Sequence, residues 1–343
     1  MAKFTKRRLL LIEAETTYGT DPSPETGTSS DGKNLLVVTN LEITPQSSDV
    51  VSRDVIRPVL GASEQILANT KVEVSFTCEL TGSGSAQHEV AFAPALKACG
   101  FKMTSSGTPI NKYTYKPSSL STLDSITIHY NTDGTLHKIL GARGNCEINC
   151  AVGEIPTITF NFTGHYVDPT ETPIVGTDYS AVRQASPLIF KNGNTSDFKL
   201  LNYAGKLQNL SFDFGNSLVY RELITNASSG TGSNTKEVLV TDRASTGTVS
   251  IEAPPLSGSG SHDFFADALN DTISNASGFV GLKFKHGTDP GNKVTFESAR
   301  VDIGDVNYGD SDGIVMLEIP YTLIPNALNT TSNTTDELEL VFE

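Results

Sequence analysis

The residues that could do chemistry are histidines, carboxylates, cysteines and clustered glycines, so their spacing comes first. His88-Glu89-Val-Ala-Phe92 opens like the His-Glu-x-x-His helix of zinc hydrolases. There two imidazoles one turn apart hold the metal and the glutamate acts as base. Phe92 stands where the second histidine is required, so the pattern fails. Asp310-Ser-Asp-Gly313 has the acid-and-glycine look of a calcium loop. With Gly313 at the sixth position the first ligand falls on Tyr308 and the last on Ile319, and the register fails. The stretch reads as an Asp-Gly turn. Gly82/Gly84 and Gly258/Gly260 follow strand-like segments, but they lack the spacing and the lysine of a phosphate loop. They read as strand-to-helix turns. The 6 histidines are scattered, and His129 sits in a strand as an ordinary structural residue. No catalytic, cofactor-binding or metal-binding residue is assigned, and the chain does not read as an enzyme.

Composition narrows the classes further. A chain of 343 residues is about two domains long at roughly 150 residues each. With 25 basic and 39 acidic residues the net charge is −14, which disfavours binding nucleic acid through phosphate neutralisation. The basic cluster Lys3, Lys6, Arg7 and Arg8 is followed by only four apolar residues before Glu13. A secretory core needs about 7–15, and a membrane span about 18. The reading is therefore a chain made and at first kept in a cytoplasm. The cysteines agree. Cys146 and Cys150 fall in one strand-like segment, roughly 13 Å apart at 3.3 Å per residue, too far for a disulfide. Reduced, buried thiols are expected, Cys78 and Cys99 included.

The elements are mostly strands. In Val72-Glu-Val-Ser-Phe-Thr-Cys-Glu-Leu80 every second residue is apolar, the pattern of a half-buried strand. Ser125 to Tyr130 alternates too and runs into Asn131-Thr-Asp-Gly134, a hairpin-type turn. Ile155–Phe162 and Ile314–Tyr321 are also strand-like. Helices are few. Pro94 to Cys99, closed by Gly100, fits a short helix. Ser261 is a candidate cap for a second, with Phe265 and Leu269 one turn apart.

A repeat runs through this pattern. VVSRDVI at Val50 returns as LVYRELI at Leu218, with Arg53 matched by Arg221 and Asp54 by Glu222. VSFTCEL at Val74 returns as VSIEAPPL at Val249, TGSGS at Thr81 as SGSGS at Ser257, AFAPAL at Ala91 as FFADAL at Phe264, and TITFNFT at Thr157 as MLEIPYT at Met316. The order is the same in both halves. The expected organisation is an N-terminal arm (1–34), a first β unit (35–167), a Pro/Thr-rich linker (168–196) and a second β unit (197–343). The motif with Arg53 and Asp54, and its copy with Arg221 and Glu222, is placed on long excursions between strands. Such excursions are usually functional or disordered, and an apolar stripe with a paired arginine and acid suits docking.

Taken together, a set of segments resembles the major tail tube proteins of long, non-contractile-tailed bacteriophages. They are LLLIEAETTYGTDPSP from Leu9, NLEITP from Asn40, VSRDVIRPVLG from Val51, APALKACGF from Ala93, LHKILGARGN from Leu136, FDFGNSLVYREL from Phe212, VTDRASTGTVSIEAP from Val240 and YGDSDGIVMLEIPYTLIP from Tyr308. The resemblance runs from about Leu9 to Phe342.

The resemblance implies a mainly β fold: two tandem tail-tube-type β-sandwich or barrel units, each with a short flanking helix. It implies a subunit that joins copies of itself into a ring around a channel, with rings stacked into a hollow conduit for genome delivery. Partners would be the tape measure protein, the tail terminator and distal tail proteins. Genomic DNA would pass through the lumen without sequence-specific binding. The location would be the virion tail, assembled in the host cytoplasm. The internal repeat favours trimeric over hexameric rings. Arg53, Asp54, Arg221 and Glu222 become candidates for contacts between stacked rings. The acidic balance favours a negative lumen, and the polar tract Thr20–Asn34 is expected to order on assembly. The competing class is a β-rich virion decoration or host-adhesion protein.

Overall fold

In the computed structural model the described residues are 3–24, 34–53, 55–58, 60–118, 123–174, 182–223, 236–270, 280–325, 328–329 and 333–343. The chain is mainly β. Its first half holds β1 (Arg8–Ala14), β2 (Thr39–Ser52), β3 (Gln65–Glu79), helix α1 (Ala93–Ala98), β4 (Phe101–Ser106), β5 (Lys112–Pro117), β6 (Ile126–Thr132), β7 (Thr135–Ala151), β8 (Thr157–Tyr166) and β9 (Thr170–Glu171). The second half holds β10 (Thr195–Leu200), β11 (Leu207–Asp213), β12 (Asn216–Glu222), β13 (Lys236–Arg243), β14 (Thr246–Glu252), helix α2 (Phe264–Leu269), β15 (Leu282–His286), β16 (Val294–Ser298), β17 (Val301–Ile303), β18 (Asn307–Ser311), β19 (Ile314–Leu323), β20 (Leu328–Asn329), β21 (Thr334–Thr335) and β22 (Glu339–Phe342).

Strand alternation makes the layers. Val72, Val74, Phe76 and Cys78 of β3 and Ile158, Phe160 and Phe162 of β8 are buried. The residues between them turn to the opposite face, because successive side chains in a strand do so. One large sheet runs β17-β19-β14-β11-β7-β8-β3-β2, with β18 also on β19. β7 is its pivot: one edge pairs first with β6 and then with β11, and the other pairs with β8 and β9. A second sheet runs β10-β15-β16-β22-β5-β4. Aromatic side chains join the layers. Phe212 of β11 meets Phe296 of β16 edge to face at 5.2 Å, and Phe101 of β4 stacks on Phe214 at 4.3 Å. Each such fully buried side chain contributes about 1.5–3 kcal/mol. Both sheets mix strands from the two halves, and one apolar core runs through them.

Local chemistry sets the turns and caps. The β6–β7 turn has Asp133 and Gly134 at positive φ (42° and 91°), as does the β18–β19 turn at Asp312 and Gly313 (54° and 84°). Two left-handed residues match the twist of the flanking strands. α1 carries Pro94 in its first turn and is followed by Gly100 at φ 97°. α2 is capped by Asp263, whose carboxylate accepts from the Ala266 N–H at 3.1 Å, and not by Ser261. Ser261 instead donates to the Gly258 carbonyl. All four cysteines are free and buried. The apolar run after the basic cluster is β1, paired with β6 and buried from Leu9 to Ile12. The tract Thr20–Asn34 lies largely outside the described residues.

Candidate assembly interface

The first copy of the repeated motif runs off the end of β2, with Val50–Ser52 on the strand and Arg53 just beyond it, and the second lies on β12 as far as Glu222. β2 and β3 are long strands that pair from the core out to a distal ribbon, with three register shifts between Thr39 and Asp49. At its far end Val50 faces Leu67, Val51 faces Ile66 and Ser52 faces Gln65. Adjacent pairs point to opposite faces. Val50 (54% exposed), Val51 (52%), Ile66 (49%) and Leu67 (54%) therefore leave both faces of the ribbon open. Val55, Ile56 and Leu60 extend the exposed apolar surface into the tip. Contiguous apolar exposure of this kind marks a contact surface.

Arg53 stands at the end of this ladder. Its guanidinium reaches Glu64 at 3.1 Å, with the side chains 56% and 60% exposed. A pair so wet is worth under about 1 kcal/mol. Asp54 lies outside the described residues.

The second hairpin, β12–β13, repeats this ladder in a different setting. Leu218 faces Val240, Val219 faces Leu239, Tyr220 faces Val238 and Arg221 faces Glu237. Arg221 bonds Glu237 at 2.9 Å (side chains 40% and 14% exposed), and Glu222 bonds Lys236 at 3.1 Å. Arg221 and Glu222 are thus each paired across the ladder. Nor is this hairpin free. Arg143 of β7 donates to the Val238 carbonyl at 2.7 Å, to Glu237 at 3.2 Å and to the Leu123 carbonyl at 2.9 Å. The Val238 N–H donates to the Tyr18 hydroxyl at 2.7 Å, and Arg143 lies 4.8 Å over the Tyr18 ring. Burial pushes the Tyr18 phenol up to about 12, so the hydroxyl stays protonated. Tyr220 packs edge-on against His165 at 5.9 Å, and its hydroxyl donates to the Thr70 carbonyl. Burial holds His165 below the usual imidazole range. Leu218 closes a groove of about 350 Å³ over β2, β3 and β8, lined by Glu42, Thr44, Glu73 and Thr163 among others.

The turn after Tyr18 is tied to the sheet by Glu15, whose carboxylate accepts from Ser125, Thr127, Gly19 and Gly141 at 2.6–2.7 Å. Arg143, Tyr18 and Glu15 were not found from sequence. The usable signal was the hairpin itself: pairing the strand after each loop back onto the motif puts Glu64 opposite Arg53 and Glu237 opposite Arg221.

The outward face of the large sheet carries hydroxyls, amides and acids. Glu42, Glu147, Ser211, Asn149, Glu318 and Thr322 are exposed there. Partial desolvation against the sheet, together with the nearby Asp213, raises the Glu147 carboxyl. His88 and Glu89 sit ahead of α1, where Glu89 bonds Lys97 at 2.9 Å and Phe92 is in the core. Among the described residues no group of three or more His, Cys, Asp or Glu side chains could hold a metal ion. Among the described residues no helix is long and apolar enough to cross a membrane.

These features define a β-sandwich protein whose unfilled surfaces are open strand edges and an apolar ribbon. The chain belongs to the phage tail tube protein family, which matches residues 5–323. It is a structural component of the virion tail by that membership. A search of curated proteins finds no match.

Proposed function

We propose that this chain is the repeating subunit of a phage tail tube, assembling with copies of itself into rings that stack around a channel for the genome. The observation that carries the reading is the pairing of open edges with a polar face. The large sheet ends in β2 on one side and in β17 and β18 on the other. Unpaired edges template further strands. A head-to-tail contact between unlike edges closes a ring or grows a filament, and a tube uses both.

The same reading takes residues 35–167 and 197–343 as two tandem units, joined by 168–196 and preceded by the arm 1–34, so that three chains close one ring. The outward hydroxyls and acids would form the channel wall, which polyanionic DNA crosses without tight contacts. Arg53, near the exposed tip, and Asp54, next to it in sequence, are offered to the next ring. Arg221 and Glu222 act through the hairpin they hold. The tape measure protein, tail terminator and distal tail proteins are the further partners, and assembly takes place in the host cytoplasm. The chain has no catalytic role in this scheme. Electron microscopy of concentrated purified protein tests it: uniform hollow tubes are expected, and a protein that stays monomeric at every concentration contradicts it.

A further inference from the structure

The seam between the two halves supplies a template for the seam between two copies. In the first half the strands lie in the order β2-β3-β8-β7; in the second they lie β11-β14-β19-β18, and β7 joins β11. Asn40-Leu-Glu-Ile43 of β2 corresponds to Asn209-Leu-Ser-Phe212 of β11. Across the next ladder Ile43 faces Val74 and Phe212 faces Gly247. Phe76 faces Phe160 and Val249 faces Ile319. Ile148 faces Ile158 on one side and Phe212 on the other. Tyr308 faces Leu317 in the position that Ile148 holds against Ile158, but among the described residues no strand stands on its other side. Tyr308 is 69% exposed. The strand missing beside it is the counterpart of β11, which is β2.

We propose that β2 of one copy pairs antiparallel with β18 of a second copy, with Ile43 opposite Tyr308 and Thr44 opposite Asn307. The inference rests on the tube reading and names its lateral partner as this same chain. The second copy then receives the ribbon Val50–Leu67 across its sheet, as the first half receives β12–β13. Val50 takes the place of Leu218, over the exposed Thr322 and neighbouring Thr246 of the other copy. This gives the open apolar pairs Val50–Leu67 and Val51–Ile66 a surface to cover them. The tip beyond Arg53 remains free to reach an adjoining ring. The edge is guarded in the single chain: the Arg8 guanidinium donates to the Leu41 carbonyl at 3.0 Å.

Cysteine pairing tests the register. Thr44 and Asn307 are both exposed, and they lie at opposite ends of an eight-strand path, about 34 Å apart along the sheet at 4.8 Å per strand. A disulfide between them must therefore join two chains. Mixing T44C with N307C protein under oxidising conditions should give a disulfide-linked pair of chains at least tenfold more than mixing T44C with S311C, which is four residues out of step. In the double variant T44C/N307C the links should run on into a closed covalent ladder whose top rung counts the chains in a ring. Equal yields from both mixtures overturn the register. Tubes that form without cross-links overturn the seam and leave the tube reading standing. Cross-linked pairs without tubes do the reverse. If the variants fail to associate, amide exchange in the unmodified protein decides the matter. Protection should rise at Asn40–Thr44 and Asn307–Ser311 on assembly, and unchanged exchange there contradicts the pairing.

Discussion

The two hairpins carry one ladder in two environments. Arg53–Glu64 matches Arg221–Glu237, Val51–Ile66 matches Val219–Leu239, and Val50–Leu67 matches Leu218–Val240. In the second hairpin the ladder is clamped by Arg143 and Tyr18, and Val238 is fully buried. In the first the equivalent side chains stand in water. The difference teaches that this ladder is suited to lying on another β surface. The second hairpin has such a surface within the chain, and among the described residues the first has not.

Breaking the clamp should have the largest effect. Arg143→Ala leaves Glu237 buried with only Arg221 and removes two backbone contacts. Loss of about 3–5 kcal/mol is expected, read by chemical denaturation, and a loss under 1 kcal/mol would mean the clamp is slack. Tyr18→Phe leaves the Val238 N–H without its acceptor and should cost about 1–3 kcal/mol in the same assay. The first hairpin should answer differently. Val51→Lys with Ile66→Glu puts opposite charges at two exposed, facing positions, so folding stability should stay within about 0.5 kcal/mol while tube formation is lost. Sedimentation paired with thermal melting separates the two, and tubes from this variant would remove the ribbon from the interface. The smallest contrast is in the arginines: Arg53→Ala should cost the single chain under about 1 kcal/mol, and less than Arg221→Ala.

Acid probes the same packing. Burial holds His129, His137, His165 and His286 below the ordinary imidazole range. Their unfolded forms take up protons near pH 6.5 while the folded forms do not. Stability should therefore fall as pH drops through about 6.5 and keep falling until the folded values are reached. Glu147 and Glu337 are lifted by burial and offset part of the loss at the acid end. A melting temperature flat from pH 7 to 5.5 would contradict this.

Much of the fold was legible because strand alternation is a local signal. The faces of β3 and β8, the Asp-Gly turns and the short helix before Gly100 all followed from neighbouring residues. Partner choice was not local. The motif suggested that each arginine belongs with the acid beside it, but adjacent residues on a strand point to opposite faces. The partners of Arg53 and Arg221 sit 11 and 16 residues away, at distances set by the intervening turn. Register also sets two matches against each other. Lettering aligns Val74 with Val249 and Thr157 with Met316, yet Val249 faces Ile319 where Phe76 faces Phe160, so the two matches stand two residues out of step with each other. A slip of two keeps the same face inward, which is why the apolar pattern alone could not detect it. The clamp was hidden for a similar reason: Tyr18, Arg143 and Val238 are far apart in sequence and meet only through the fold.

The continuous core and shared sheets mean that the proposed tandem units would be fused along an edge, each completing the other. Cryo-electron microscopy of the assembled tube, viewed down its axis, tests this most directly. The account predicts rings of three chains with approximate sixfold appearance and β2 of each chain lying against β18 of the next. Rings of six chains with strict sixfold symmetry, or contacts that leave either edge unpaired, would contradict it.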